Sequence, residues 1–379
     1  MFKSYRFRIY PSTKQFKQLA ANFGCARFVY NKLVERQTDR ALVGRAQERQ
    51  MIDELCCSEP WIKTINPSVI FHAFDHFNYT LQRSKNLNQK LRFITRRNRE
   101  SFCLSNYSRS IRINAKSVAV STIGELKARM PRLPNGRILN TTIIKTASGR
   151  FYMSVLTQQD DNAVLPVTRK EKVHCIGLDM GIKHFLTQSD GIHVENPRYF
   201  QDNLARMKRL QKDLARKNKG SANYMKNCQR IARLHERIMT QRNAFLHKES
   251  TRIVRENDII AVETLGVSDM LEQKKISLQI NDAAWSKFIA MLTYKAQWYG
   301  KQLIRIDRYH PSTKTCCRCR YVARDMPLST REWQCPQCET QHDRDTNAAI
   351  NIMIAGVKIY QHNNPKLNQQ LIPVLSGRR

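Results

Sequence analysis

Two C-x-x-C turns, Cys316-Cys317-Arg318-Cys319 and Cys335-Pro336-Gln337-Cys338, stand fifteen residues apart. Each such turn can aim two thiolates at one point, and two turns complete a tetrahedral four-sulfur zinc site. Protein would fill all four positions, which makes the site structural rather than catalytic. The cations Lys314, Arg318 and Arg331 nearby favour the thiolate form. Cys317 has no C-x-x-C partner and reads as a non-ligand. Free thiols and an iron–sulfur cluster are the competing readings and fit the spacing less well.

A second chemistry rests on three acids. Asp179 ends the short apolar run Cys175-Ile176-Gly177-Leu178-Asp179, and Glu263 ends Asp258-Ile259-Ile260-Ala261-Val262-Glu263. Asp345 opens a helical pattern in His342-Asp343-Arg344-Asp345-Thr346-Asn347-Ala348-Ala349. Taken singly, Asp179 could start a turn, Glu263 could pair with an arginine, and Asp345 could cap a helix. If the two strands lie side by side, their C-terminal ends bring two acids together, and the helix N-terminus adds the third. Three converging carboxylates call for hard divalent cations, Mg²⁺ or Mn²⁺. Two such ions can activate water and stabilise the leaving oxygen in phosphodiester hydrolysis.

The elements that must position these residues are legible in part. Residues 5–10 alternate with period two and predict a strand, followed by a helix capped by Ser12 or Thr13 with Gln15 in its first turn. Gly24 is expected to end that helix, with a second starting at Ala26. Residues 32–110 read as mostly helical, broken at Pro60-Trp61 and Asn66-Pro67. Val69, Phe71, Phe74 and Phe77 recur at helical spacing and read as core. Between Arg92 and Arg112, Arg96, Arg97, Arg99 and Arg109 alternate with Phe93, Phe102 and Tyr107. That pattern suits a base-stacking, phosphate-tracking surface as well as a solvated face. Strands are expected at 118–121, 137–145 and 151–156, and a linker at Gln158–Lys172. Phe185–Thr187 reads as the hairpin partner of the Asp179 strand. Residues 203–256 read as a basic helical hairpin turning at Lys217–Ser221. A helix is expected at 282–299, a strand at 303–306, a last helix at 346–356, and a flexible tail over 360–379 ending in Arg378-Arg379.

The 379 residues carry 65 Lys and Arg against 31 Asp and Glu, a net charge of +34. Such a chain repels itself unless a polyanion neutralises it, and the spread of basic residues favours nucleic acid over a membrane surface. No window nears 18 consecutive apolar residues, which excludes a membrane span. The N-terminus lacks an apolar signal segment. Eleven cysteines, an odd number with five crowded into 316–338, argue against a disulfide framework and for a reducing compartment, most simply a cytoplasm.

At these residues the chain resembles the TnpB (OrfB) family of insertion-sequence elements, RNA-guided RuvC-type nucleases related to type V CRISPR effectors. The opening Tyr5–Pro11 and Phe23–Asn31, the run Ile176–Gly181, Val262–Leu265, Pro311–Cys316 and, most specifically, His342–Ile352 carry the likeness. The resemblance implies an α/β RuvC domain of RNase H type with an inserted zinc ribbon. It also implies an N-terminal wedge β-barrel interrupted by a helical recognition domain. The implied boundaries are wedge 1–14 and 116–168, recognition 15–115, RuvC 169–309, zinc ribbon 310–340, last RuvC helix 341–356 and tail 357–379. Asp179, Glu263 and Asp345 would be the Mg²⁺-binding catalytic acids, with Asp345 rather than Asp343 at the family's catalytic position. One structural zinc would sit on Cys316, Cys319, Cys335 and Cys338. The implied partners are a guide RNA from the element's right end, one per protein chain, and a double-stranded DNA target checked at a short adjacent motif and cut in both strands. Arg320 and Glu339 stand where the family often has Gly after each cysteine pair. Three other readings stay open: a nuclease-dead guided repressor, a transposase acting without a guide, and a zinc-ribbon RNA-binding protein without catalysis.

Overall fold

The computed structural model describes residues 1–36, 43–95, 100–106, 111–159, 173–266, 272, 277–327 and 329–365. Arg96, Arg97, Arg99, Tyr107 and Arg109, most of the expected linker, and Arg378-Arg379 lie outside the described residues. The chain forms two compact units, 1–163 with 219–233 and 164–218 with 234–379.

The first unit is built on a seven-stranded antiparallel sheet. Its strands are β1 (Phe2–Tyr10), β2 (Glu100–Ser105), β3 (Ile111–Ile113), β4 (Ser117–Val120), β5 (Gly124–Arg129), β6 (Arg137–Lys145) and β7 (Phe151–Gln158), in the order β2-β6-β7-β1-β5-β4-β3. β1 alternates as its sequence requires: Phe7 and Ile9 are buried while Arg6 and Arg8 face outward, Arg6 stacking on Tyr152 at 4.5 Å. Helix α1 (Thr13–Glu35) begins at an Ser12 cap closed reciprocally by Gln15, which satisfies two otherwise orphaned N–H groups.

Gly24 does not end α1; the helix runs through it. The roughly 1 kcal/mol that an interior glycine costs is outweighed by burial of Leu19, Phe23, Cys25 and Val29 around it. α2 (Arg45–Ser58), a 3₁₀ turn at Pro60–Thr64 and α3 (Pro67–Asn86) follow. Asn66 caps α3 and Pro67 stands at its first turn, where a missing N–H costs nothing. Val69, Phe74 and Phe77 enter the core as expected, while Phe71 stays partly exposed. The expected helical stretch to 110 ends instead in β2 and β3. Phe102 is 4% exposed and meets Phe23 edge-on at 5.0 Å, so it is a core ring and not a base-stacking one.

The second unit holds a five-stranded sheet, β8 (Cys175–Asp179), β9 (His184–Gln188), β10 (His193–Glu195), β11 (Ile259–Glu263) and β12 (Gln302–Ile306), in the order β10-β9-β8-β11-β12. β8, β11 and β12 run parallel, while β9 returns antiparallel to β8 as a hairpin. Helices α4 (Tyr199–Asp202), α5 (Leu204–Ala215) and α6 (Ala222–Glu256) carry the basic hairpin; α7 (Ser277–Ala283) and α8 (Trp285–Trp298) lie between β11 and β12 in sequence. The expected helix at 282–299 is interrupted at Ala284, whose φ is +55°. A small hairpin, β13 (Glu332–Gln334) with β14 (Gln341–Asp343), precedes the last helix, α9 (Arg344–Asn363). That helix continues past Gly356, so the expected tail begins as helix: Gly356 is a contact point rather than a stop, because a Cβ there would overlap Ala261.

Strand alternation sets the layers. Ile176, Leu178, Ile260 and Val262 point to one face, where they pack with Leu246 and Ile253 of α6 and Phe288 and Leu292 of α8. Gly177 and Ala261 point to the other, against α9.

Candidate metal centres

Asp179 and Glu263 follow from that alternation. Val262 pairs with Leu178 across the parallel β8–β11 ladder, so the next residues in line, Glu263 and Asp179, end adjacent strands at the same edge. Each lies two residues beyond a residue touching α9, on the α9 face. A Cβ at Gly177 would overlap the backbone of Ala349 and Met353; glycine lets the helix backbone approach the strand directly. The carboxyl ends of parallel strands are where open α/β sheets place their sites. Asp345 sits in the first turn of α9, capped by Asp343, whose carboxylate accepts from Thr346 N at 2.7 Å. Asp343 is thus committed to the cap, and the Thr346 bonds hold its carboxyl low although burial alone would raise it.

Asp179 senses the other two acids. Burial, then the charges of Glu263 and Asp345, push Asp179 up to about 7, with Arg344 opposing. Burial also raises Glu263, and a hydrogen bond from the Ser312 hydroxyl to its Oε1 works against that rise. Arg331 lies 3.5 Å from Asp345. An anionic cluster that raises its own proton affinity is the electrostatic signature of a cation site. A cavity of about 220 Å³ opens beside Glu263 and is lined by Met180, Thr264, Leu265, Trp285, Ser286, Ile289 and Arg305.

The cysteine centre is tighter. Among the described residues, Cys316, Cys319, Cys335 and Cys338 form a set of metal-ligand side chains whose sulfurs all lie within 4.8 Å; the three acids do not gather so closely. Cys316 Sγ is 3.6 Å from Cys338 Sγ and Cys319 Sγ is 3.5 Å from Cys335 Sγ, near the edge of about 3.8 Å that a tetrahedron with 2.3 Å metal–sulfur bonds requires. The two turns are built alike: Arg320 N donates to Cys316 O at 3.0 Å, Glu339 N to Cys335 O at 2.8 Å, and Cys316 N and Cys335 N donate to Tyr321 O and Thr340 O. Arg320 and Glu339 both take left-handed conformations, φ +71° and +57°, the region glycine enters without strain. Cys317 is left out of the sulfur set, as its spacing predicted.

The expected cationic help to the thiolates takes another form. Lys314 Nζ turns to Arg324 O at 3.1 Å and Arg318 Nη1 to Thr340 Oγ1 at 3.3 Å. Hydrogen bonding with Thr340 lowers the Cys338 thiol, while burial raises Cys316 and the neighbouring cysteine thiols help raise Cys319, so in the metal-free set one proton is given up most easily at Cys338. Sequence reasoning also missed His342, buried with Nε2 3.1 Å from Cys316 Sγ and its ring against Trp333. It missed Asn347 and Asn351 as well, polar residues four apart on an otherwise apolar helix face and each 1% exposed. That spacing was the available signal.

On the second unit's surface, Arg206, Lys208, Arg209 and Lys212 of α5 are exposed around buried Met207. No helix among the described residues is long and apolar enough to cross a membrane.

Comparison with known proteins gives a consistent picture. Residues 154–274 match a family described as "Probable transposase", 285–352 a "Cas12f1-like, TNB domain", and 1–41 a "Helix-turn-helix domain". The described part of that last segment holds β1 and the single helix α1. A protein from Streptomyces pristinaespiralis, named "Putative RNA-guided DNA endonuclease", is 36% identical over 94% of this chain and 89% of its own length. An Escherichia coli K12 protein of the same name with the suffix InsQ is 26% identical over 93% of this chain and 92% of its own. The TnpB-like protein L770 of Acanthamoeba polyphaga mimivirus is 22% identical over 94% of this chain and 73% of its own.

Proposed function

Since the chain belongs to the TnpB (OrfB) family, we propose that it is an RNA-guided DNA endonuclease of RuvC type. In this reading it takes a guide RNA from the right end of its element, one per chain. It recognises a short motif in double-stranded DNA and hydrolyses both strands. The observation that carries the reading is the placement of Asp179, Glu263 and Asp345: two parallel-strand ends and one helix N-terminus on one face of one sheet, where burial first and the charges of the other two acids second raise the Asp179 carboxyl to about 7.

The mutual repulsion of these acids fits Mg²⁺ or Mn²⁺. Two such ions, when bound, supply Lewis-acid stabilisation and a reactive hydroxide for in-line phosphodiester cleavage. The chain's own residues do the rest. Gly177 and Gly356 let α9 lie flat on β8 and β11, which fixes where Asp345 stands. Asp343 spends its carboxylate on the helix cap, so Asp345, whose described side-chain partner is Arg331 at 3.5 Å, is the acid of this turn left to serve as a ligand. The exposed cations of α5 offer phosphate contacts whose strength falls with salt. Cys316, Cys319, Cys335 and Cys338 would hold one zinc with all four thiolates, a structural role that would tie the two knuckles together.

The mixed sheet with α9 on its acid-bearing face supports the RNase H-type assignment. In the first unit, β2 and β3 stand at opposite ends of the strand order, yet Ile111 N of β3 donates to Asn106 Oδ1 just past β2 at 3.0 Å, which supports the wedge-barrel assignment. The helices between 13 and 86 would serve recognition.

The test is to purify the protein with its bound nucleic acid and sequence the RNA. A dominant species from the 3′ end of its own gene and the adjoining element boundary is the expected result. A random mixture of cellular RNA would remove the guided part of the reading.

A further inference from the structure

We propose that Ser312 is a positioning residue for Glu263, locked in place by Asn351 and the first cysteine knuckle. Folding of the zinc knuckle thereby sets the divalent-metal affinity of the acid centre. The inference rests on the reading of Asp179, Glu263 and Asp345 as metal ligands.

The hydrogen bonds form one connected block. The Ser312 hydroxyl donates to Glu263 Oε1, and Ser312 is 4% exposed, so water competes poorly for that bond. Ser312 lies on no strand or helix, so its place depends on what holds its backbone. Asn351 Nδ2 donates to Ser312 O at 2.8 Å and to Thr315 O at 2.6 Å. Asn351 Oδ1 accepts from Arg320 Nη1 at 2.9 Å, and Arg320 N closes the first knuckle on Cys316 O. One turn earlier on the same helix, Asn347 Nδ2 donates to Thr315 O at 2.8 Å and its Oδ1 accepts from Cys317 N at 2.9 Å.

α9 therefore carries Asp345 at one end and grips the knuckle loop through two buried amides. The loop in turn holds Glu263 through Ser312. A carboxylate with one oxygen bonded to a fixed hydroxyl keeps one rotamer and presents its other oxygen to a metal. Such outer-shell hydrogen bonds typically govern metal affinity by 10- to 100-fold. The block also explains why two asparagines are buried on an apolar helix: every one of their amide groups is used.

The experiment measures cleavage of matched DNA by the protein–RNA complex across Mg²⁺ concentration. Wild type is compared with Ser312→Ala, Ser312→Thr and Asn351→Ala, with zinc content and melting temperature measured alongside. Ser312→Ala should raise the half-saturating Mg²⁺ concentration about tenfold, with nearly full rate at saturating Mg²⁺ and one zinc retained. Ser312→Thr, which keeps the hydroxyl, should restore the wild-type value. Asn351→Ala should shift it in the same direction. An unchanged half-saturation for Ser312→Ala, or a rate loss that Mg²⁺ does not rescue, would overturn the proposal. So would failure of Ser312→Thr to restore wild-type behaviour. Glu263→Ala is the separate control: if it still cuts DNA, the acid-centre reading itself falls, whereas a dead Glu263→Ala beside an unshifted Ser312→Ala removes only the positioning role.

Discussion

The two candidate metal centres lie on one continuous stretch of structure and are opposite in character. The cysteine centre is closed: four sulfurs within 4.8 Å on two backbone-bonded knuckles. The acid centre is looser: its carboxylates come from three separate elements and do not gather within the same distance, and the charges of Glu263 and Asp345 raise Asp179 while Arg344 opposes them. Arg331 lies 3.5 Å from Asp345. On the proposed reading, the difference follows from what each would do. A structural ion contributes folding energy, so its ligands are arranged by short-range backbone geometry. A catalytic site must admit substrate and solvent, so its ligands are left under electrostatic tension that ions relieve.

The largest separation of the two should come from Cys335→Ser. Loss of a knuckle ligand should empty the zinc site and destabilise the second unit by several kcal/mol, on the order of a large fraction of a domain's stability. Zinc content and melting temperature check this. Unchanged values would remove the structural role.

Gly177→Ala probes the acid centre through its scaffold. The added methyl overlaps α9 at Ala349 and Met353, and overpacking of this kind costs about 1–3 kcal/mol. Denaturant unfolding should show that loss, and DNA cleavage should fall more steeply than DNA binding as Asp345 moves. Wild-type stability and activity together would show that α9 is not held as close as this structure places it.

A third contrast is pH dependence without divalent metal. Asp179 is raised to about 7 from an ordinary value of 3.8. A carboxyl with a raised folded-state pKa contributes stability that is fully present below its unfolded pKa. That stability is lost as pH rises through the folded pKa. The melting temperature of the Mg²⁺-free protein should therefore decline between about pH 4 and pH 7. Asp179→Asn should flatten that decline, and Mg²⁺ should restore more stability at pH 8 than at pH 5. A variant with the wild-type slope would place the titration elsewhere.

The smallest effect is expected at the second knuckle. Glu339 holds φ +57°, a conformation costing a non-glycine residue about 1–2 kcal/mol. Glycine there gives back part of this as unfolded-chain entropy. Glu339→Gly should stabilise the protein by about 0.5–1 kcal/mol without changing zinc content, as read by urea unfolding. Destabilisation would show that the side chain makes a contact worth more than the strain.

How far the sequence carries depends on whether a residue's role is local. The knuckles were legible because C-x-x-C spacing and the positions of Arg320 and Glu339 are decided within five residues. β8 and β11 were legible because a short apolar run ending in an acid admits few other readings, and their acids did end on neighbouring strands of one sheet. Non-local roles were lost. β5 escaped notice because only Leu126 in it is buried; it is a strand because β1 and β4 flank it. Gly24 misled because tertiary burial around it outweighs its propensity, and Phe102 because its partner, Phe23, is 79 positions away. Ser312 and Asn351 read as ordinary polar residues until the fold set them beside Glu263 and the knuckle.

The most direct test of the central claim separates binding from cutting. Asp179→Ala, Glu263→Ala and Asp345→Ala should each be prepared as the RNA complex and given matched double-stranded DNA with Mg²⁺, with bound and cleaved fractions measured in the same samples. The account predicts DNA binding near wild type and no detectable cleavage in all three. Cleavage surviving in any one of them, or binding lost in all three, would contradict the assignment of these acids to a catalytic metal centre.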